Sequence, residues 1–248
     1  MLASIFWGAV YPYLCLAVLL VGCLYRYAYR PLSWTSRSSQ ILESRWLKWG
    51  SPLFHWGILA VLAGHVLGLL VPVGMWQAVG ITPALYHQGA DLIGGLAGFV
   101  AWVGLDLLLL RRGIHPRLRR TSSLSDWVAL GWLWLVVTSG DAITLWYNHT
   151  AGPFPYRHTV GPWFRSLFLL KPDPGLLGQL PWPFQVHLLL AFGLFAVTPF
   201  SRLVHLWSAP VAYPRRAPIQ YRRRGALRPD AATAAASDLH RQPGGTRG

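Results

Sequence analysis

Three stretches of this chain, at positions 13–24, 53–73 and 127–137, contain no Asp, Glu, Lys or Arg, and they are separated by arginine-rich segments. Elements that pack in water alternate apolar and polar faces, and these do not. A bilayer is the solvent they fit, since a helix that crosses its hydrocarbon needs about 20 apolar residues. Charged residues make up only 12% of the 248, against about 25% in a soluble domain. Segments close to membrane-spanning length lie near 5–25, 53–73, 90–110, 127–147 and 183–207. The expected fold is all-α: an integral membrane bundle of five transmembrane helices.

The placement of Lys and Arg gives an orientation, because basic loops stay cytoplasmic. Arg26, Arg30, Arg37, Arg45 and Lys48 follow the first segment, and Arg111, Arg112, Arg117, Arg119 and Arg120 follow the third. Nine more arginines, from Arg202 to Arg247, close the chain, so that 19 of the 22 basic residues fall on one side. The N-terminus is therefore expected outside and the C-terminus in the cytoplasm. The formal charge of +14 is a matter of topology, and with no nucleic-acid-binding motif present, nucleic acid is not an expected partner. The chain is read as a membrane domain over 1–212 and a basic, partly disordered cytoplasmic tail over 213–248, rich in Arg, Pro, Ala and Gly. Met1 to Phe6 carry no basic residue, and Tyr25-Arg26 rather than a small-residue cleavage site follows the first run, so that run is expected to be a retained helix.

Cys15 and Cys23 are too few for a disulfide framework and neither begins a C-x-x-C-H haem-attachment sequence. Four of the nine histidines lie within the segments: His55 and His65 in the second, His187 and His205 in the fifth. An ionisable residue at that depth is costly and by default functional. With the two segments running in opposite directions, His55 and His205 come out near the inner face, and His65 and His187 near the outer one. Two pairs at two depths suit two non-covalent, bis-histidine haem b groups, whose filled axial positions leave them to carry electrons. Zinc or copper would want three or four clustered ligands. Hydrogen-bonding histidines within a bundle are the plain alternative.

Helical arithmetic supports the pairs unevenly. His187 and His205 are 18 residues apart, or five whole turns and about 27 Å, whereas His55 and His65 are separated by 10 residues, about 15 Å and about 80° short of three turns. Tilt, unequal ring inclination or a kink at Pro199 must absorb the difference. Gly57, Gly64 and Gly68 offer room for a flat macrocycle or a quinol ring, or else a seam between helices.

Tyr11-Pro12-Tyr13, Ser38-Ser39-Gln40, Leu53-Phe54-His55, Gly64-His65, the run from Pro199 through Phe200-Ser201-Arg202-Leu203-Val204 to His205, and Ala209-Pro210 together resemble the gamma subunit of respiratory nitrate reductase. The resemblance covers roughly residues 8–225. It implies a multi-pass subunit of the bacterial cytoplasmic (inner) membrane, a dihaem cytochrome b for anaerobic respiration. Such a subunit oxidises membrane quinol near the outer face and passes electrons to an iron–sulfur beta subunit and a molybdenum-containing alpha subunit, where nitrate is reduced. Carried over, it implies that His65 and His187 hold the distal haem iron and that His55 and His205 hold the proximal one.

The family lysine near the start of the third segment is replaced here by Tyr86-His87-Gln88. His87, close in depth to His65, is the expected quinol hydrogen-bond partner or proton acceptor, with Gly64 a quinol contact and an exposed interfacial histidine the plainer reading. Arg112 and Arg202, with Arg111, are expected to pair with the inner haem's carboxylates or simply to anchor the inner face. Asp91 and Asp141 are candidates for proton exit or for capping. Two other readings stay open: a dihaem anchor of a different cytoplasmic reductase, and a non-enzymatic haem-handling or transport protein.

Overall fold

A computed structural model describes residues 2–30, 33–34 and 43–208. The expected tail over 213–248 and its boundary at 212 lie outside these residues. No strand occurs among the described residues, and five helices are long and apolar enough to cross a membrane: α1 (Phe6–Tyr29), α2 (Arg45–Leu70), α3 (Pro83–Ile114), α4 (Leu124–Thr150) and α5 (Trp182–Phe200). Large apolar side chains such as Leu20, Val21, Leu24, Trp56, Leu92, Ile93 and Leu96 point outward from them, as a hydrocarbon environment requires.

Three boundaries differ from the sequence reading by seven or eight residues, the first being the start of α3, at Pro83 rather than near 90. Helix α2 begins at Arg45 rather than near 53, so Arg45 and Lys48, placed above in a loop, form its first turn. At the other extreme α5 stops at Phe200, not 207. Its regular α-helical part ends at Val197, Thr198–Phe200 tighten to a 3₁₀ turn, Ser201 is extended at φ −127° and ψ 179°, and a separate 3₁₀ segment, Arg202–Ser208, carries His205. His187 and His205 therefore do not share one continuous helical face. Of the three ways of absorbing the phase mismatch, the chain takes the break at Pro199, whose ring removes a backbone donor.

Helix α1 holds this break in place. The position of a side chain at Gly22 is taken by the Pro199 ring, 2.8 Å from where a Cβ would stand. One turn on, Arg26 donates from Nη1 to the carbonyls of Pro199 (2.8 Å) and Ser201 (2.6 Å), oxygens that a continuous helix would have paired internally. Arg26 is thus part of α1 and of the bundle's interior, not a loop residue.

The helices pack in the spatial order α1, α5, α4, α3, α2, each against the next. The α2–α3 contact is the most intimate: a Cβ at Gly57 would stand 2.5 Å from the Ala101 amide nitrogen, and one at Gly104 would stand 2.3 Å from that of Phe54. Gly57 is consequently a helix–helix seam and does not make room for a ligand. Helices α2 and α5 have no comparable backbone contact. At one end of the bundle a short helix, Val160–Phe168, covers the helix termini. Its Trp163, 1% exposed, donates to the Gly8 carbonyl at 2.7 Å, and Arg165 donates to that of Leu69 at 2.7 Å. At this same end α1 to α4 each widen to one π-helical stretch, at Phe6–Val10, Val66–Leu70, Ala90–Gly94 and Ile143–Tyr147.

Candidate functional site

The four histidines meet as two facing pairs, with His55 and His65 on α2, His187 on α5 and His205 on the 3₁₀ segment that follows it. His55 and His205 have ring centres 6.4 Å apart, and His65 and His187 are 6.1 Å apart. Among the described residues no three His, Cys, Asp or Glu side chains converge as metal donors, so the pairs stand as pairs.

Every one of these rings is oriented through Nδ1. His55 Nδ1 donates to the Ser51 carbonyl at 2.7 Å, His65 Nδ1 to that of Val61 at 2.8 Å, and His205 Nδ1 to that of Arg202 at 2.6 Å. A carbonyl can only accept, so Nδ1 carries a proton and Nε2 is the nitrogen left to face the partner ring. His187 reaches the same state by another route: the Ser139 hydroxyl gives its hydrogen to the Val136 carbonyl at 2.9 Å and accepts from His187 Nδ1 at 2.9 Å. Four imidazoles with Nδ1 committed to a protein oxygen have the orientation through which histidine can offer Nε2 to a metal. Bonds of about 2 Å from a metal to each of two such nitrogens place the ring centres roughly 6 Å apart, the separation both pairs show.

The surroundings of the two pairs differ. Next to His187, a Cβ at Gly140 would stand 3.1 Å from Cε1, close enough that the ring would have to give way, while at Gly64, beside His65, there is open space. Gly68 is buried against the hydroxyls of Tyr86 and Tyr156, which hydrogen-bond each other. Burial pushes the Tyr156 phenol well above its ordinary range, and Tyr86 adds to the shift. His87 lies within α3, its Nε2 buried and 3.7 Å from Asp91 Oδ2, beyond hydrogen-bond length, while Asp91 Oδ1 accepts from Asn148 Nδ2 at 2.9 Å. Asp141 fills the space beside Gly98, and Asp106 accepts from Trp134 Nε1 at 2.8 Å, which makes the latter a structural carboxylate.

At the end of the bundle that carries His55 and His205, Arg111, Arg112 and Arg202 each have a carboxylate partner. Arg111 bonds to Glu43 Oε2 and to its carbonyl, both at 2.5 Å. Asp126 lies between Arg112 (Nη1, 3.3 Å) and Arg202 (Nε, 2.7 Å), and its helix start is closed by a capping box with Ser123. Burial raises the Glu43 carboxyl, but the Trp46 amide and Arg111 outweigh it and hold the group below its ordinary value. Sequence reasoning had no signal for Ser139, Gly140, Asp126 or Glu43 as parts of this arrangement, since each meets its partner across the bundle.

A family model described as nitrate reductase gamma subunit matches residues 3–224. The chain belongs to that family. It is similar to the nitrate reductase gamma chain of Bacillus subtilis, 42% identical over 90% of this chain and 100% of that one. It also resembles the respiratory nitrate reductase 1 gamma chain of Escherichia coli, 34% identical over 85% of this chain and 93% of the other. A nitrate reductase-like protein of Mycobacterium tuberculosis is 39% identical over 92% of this chain, which spans 35% of that longer protein. The resemblance seen in the histidine and Pro199 motifs thus extends over most of the sequence.

Proposed function

We propose that this gamma subunit is a dihaem cytochrome b that takes electrons from membrane quinol and delivers them to the cytoplasmic iron–sulfur and molybdenum subunits of a respiratory nitrate reductase. The observation that carries the reading is the pair of facing imidazole couples, each at the ring separation a bis-histidine metal requires and each with Nδ1 already engaged. Haem b, when bound, supplies reversible one-electron transfer and no open coordination position.

The residues divide the work by depth. Loop charge puts the His55–His205 end, with Arg111, Arg112, Arg117, Arg119, Arg120 and Arg202, at the cytoplasmic face, where the chain meets its partners. Arg112 and Arg202, fixed by Asp126, present cationic charge to the carboxylates of the inner group. At the outer end the open space at Gly64 admits the quinol ring beside His65. The buried Nε2 of His87 accepts a quinol proton, with Asp91 next to it to stabilise the resulting imidazolium. Protons leave outside while electrons leave inside, so turnover moves charge across the membrane.

A pyridine haemochrome assay on membranes containing the chain, with reduced-minus-oxidised spectra, tests this. About two b haems per chain are expected, with His65→Ala and His205→Ala each removing mainly one. A properly inserted chain that takes up no haem would return the four histidines to structural roles and overturn the reading.

A further inference from the structure

The buried side-chain atoms without a hydrogen-bond partner among the described residues are His87 Nε2, Asn148 Oδ1, Arg157 Nε and Arg157 Nη2, and all belong to the outer end. Arg157 stands out. It comes from the segment that leads into the Val160–Phe168 helix, is 8% exposed, and forms no ion pair among the described residues. Its guanidinium carbon lies 3.6 Å over the centre of the Tyr86 ring, so the cation is held by a π face that leaves its N–H groups uncommitted.

The two partnerless nitrogens, Nε and Nη2, form one edge of the guanidinium. That edge offers two parallel N–H donors, the fork that matches the two oxygens of a carboxylate and not the single oxygen of a phenol or quinol. Buried cationic donors left unsatisfied are expensive, and an anion with two oxygens is the partner that satisfies both at once. The fork lies close to the outer histidine pair: Tyr86, on which it rests, has its hydroxyl 3.1 Å from the Cβ position of Gly68, three residues or about 4.5 Å along α2 from His65. A prosthetic group held by His65 and His187 must carry its own carboxylates toward the outer aqueous face, since ionised carboxylates are not stable in hydrocarbon.

We propose that Arg157, stacked on Tyr86, is the carboxylate clamp of the outer site and binds a haem propionate through its Nε–Nη2 edge. This rests on the haem reading above. It gives Tyr86 a role as the platform for a cation supplied by the loop.

Potentiometric titration of membranes carrying the whole complex, with the optical bands of the two haems followed separately, tests the clamp without recourse to turnover. Arg157→Gln leaves a carboxylate without its counter-charge, so the outer midpoint potential is expected to fall while the inner one stays. Arg157→Lys, which keeps the charge but not the fork, recovers part of the shift. An unchanged outer potential in Arg157→Gln overturns the proposal, and weakened binding of a quinol-analogue inhibitor in its place would assign the fork to quinol. A second measurement uses the unaltered chain: membranes from haem-deficient cells are loaded with protohaem or its dimethyl ester. The ester is expected to bind the outer site about tenfold more weakly, and equal uptake overturns the clamp. If neither form is taken up at all, the haem reading itself falls, an outcome distinct from equal uptake.

Discussion

The two ends of the bundle each hold one facing pair of histidines and treat everything around it differently. At the His55–His205 end, Glu43 is bonded to Arg111, Asp126 joins Arg112 and Arg202, and Arg26 caps the carbonyls freed at Pro199. At the His65–His187 end, four buried polar atoms have no hydrogen-bond partner among the described residues, four helices widen to π-turns, and Gly64 faces open space. A satisfied polar network is rigid, and π-turns cluster where function needs irregular backbone. The contrast teaches that one end of the bundle has its polar groups satisfied within the chain, whereas the other keeps bonding capacity for groups from outside it: on the proposed reading, a resident carboxylate at Arg157 and quinol at His87.

The strongest way to break this comparison is at Gly140. Gly140→Leu pushes side-chain atoms into the space of the His187 ring, and loss of the outer haem spectrum with the inner one intact is expected. Loss of both would show that the ends are not independent. Next in size is Asp126→Ala, which leaves Arg112 and Arg202 facing each other and destabilises the fold by about 3 kcal/mol. Thermal unfolding in detergent should show this, with the inner spectrum altered and the outer one unchanged. His87→Ala is expected to slow quinol oxidation by about tenfold to a hundredfold with haem content unchanged; unaltered oxidation and inhibitor binding would take His87 out of the site. The smallest effect is a pH dependence at Glu43. Its carboxyl lies below the ordinary 4.5 when folded, so the bond to Arg111 adds stability above that pH and loses it as pH falls through the folded value. Glu43→Gln should therefore lower the melting temperature near neutral pH and flatten its decline toward about pH 4, whereas parallel curves would leave Glu43 without this role.

What could be read from the sequence follows from range. Apolar runs located the five helices because hydrocarbon length is a local requirement, and the fifth was overextended only where Pro199 and Ser201 interrupt it. The two histidine pairs were legible because antiparallel helices turn sequence position into depth. Which glycine serves which purpose was not legible: Gly57 closes a seam, Gly68 sits under two tyrosine hydroxyls, and Gly64 stays open, although all three sit in the same helix within three turns. Nor was Arg157 legible, since its partner Tyr86 is 71 positions earlier and the contact depends on how a loop folds over the bundle. Ser139 orients His187 across 48 positions by the same kind of tertiary placement.

The interruption after Val197 has a mechanical meaning. Because His187 stands on a straight rod and His205 on a separate short segment pinned by Gly22 and Arg26, α5 is jointed between them. The two ring pairs accordingly keep different inclinations, 57° for His55 and His205 against 34° for His65 and His187.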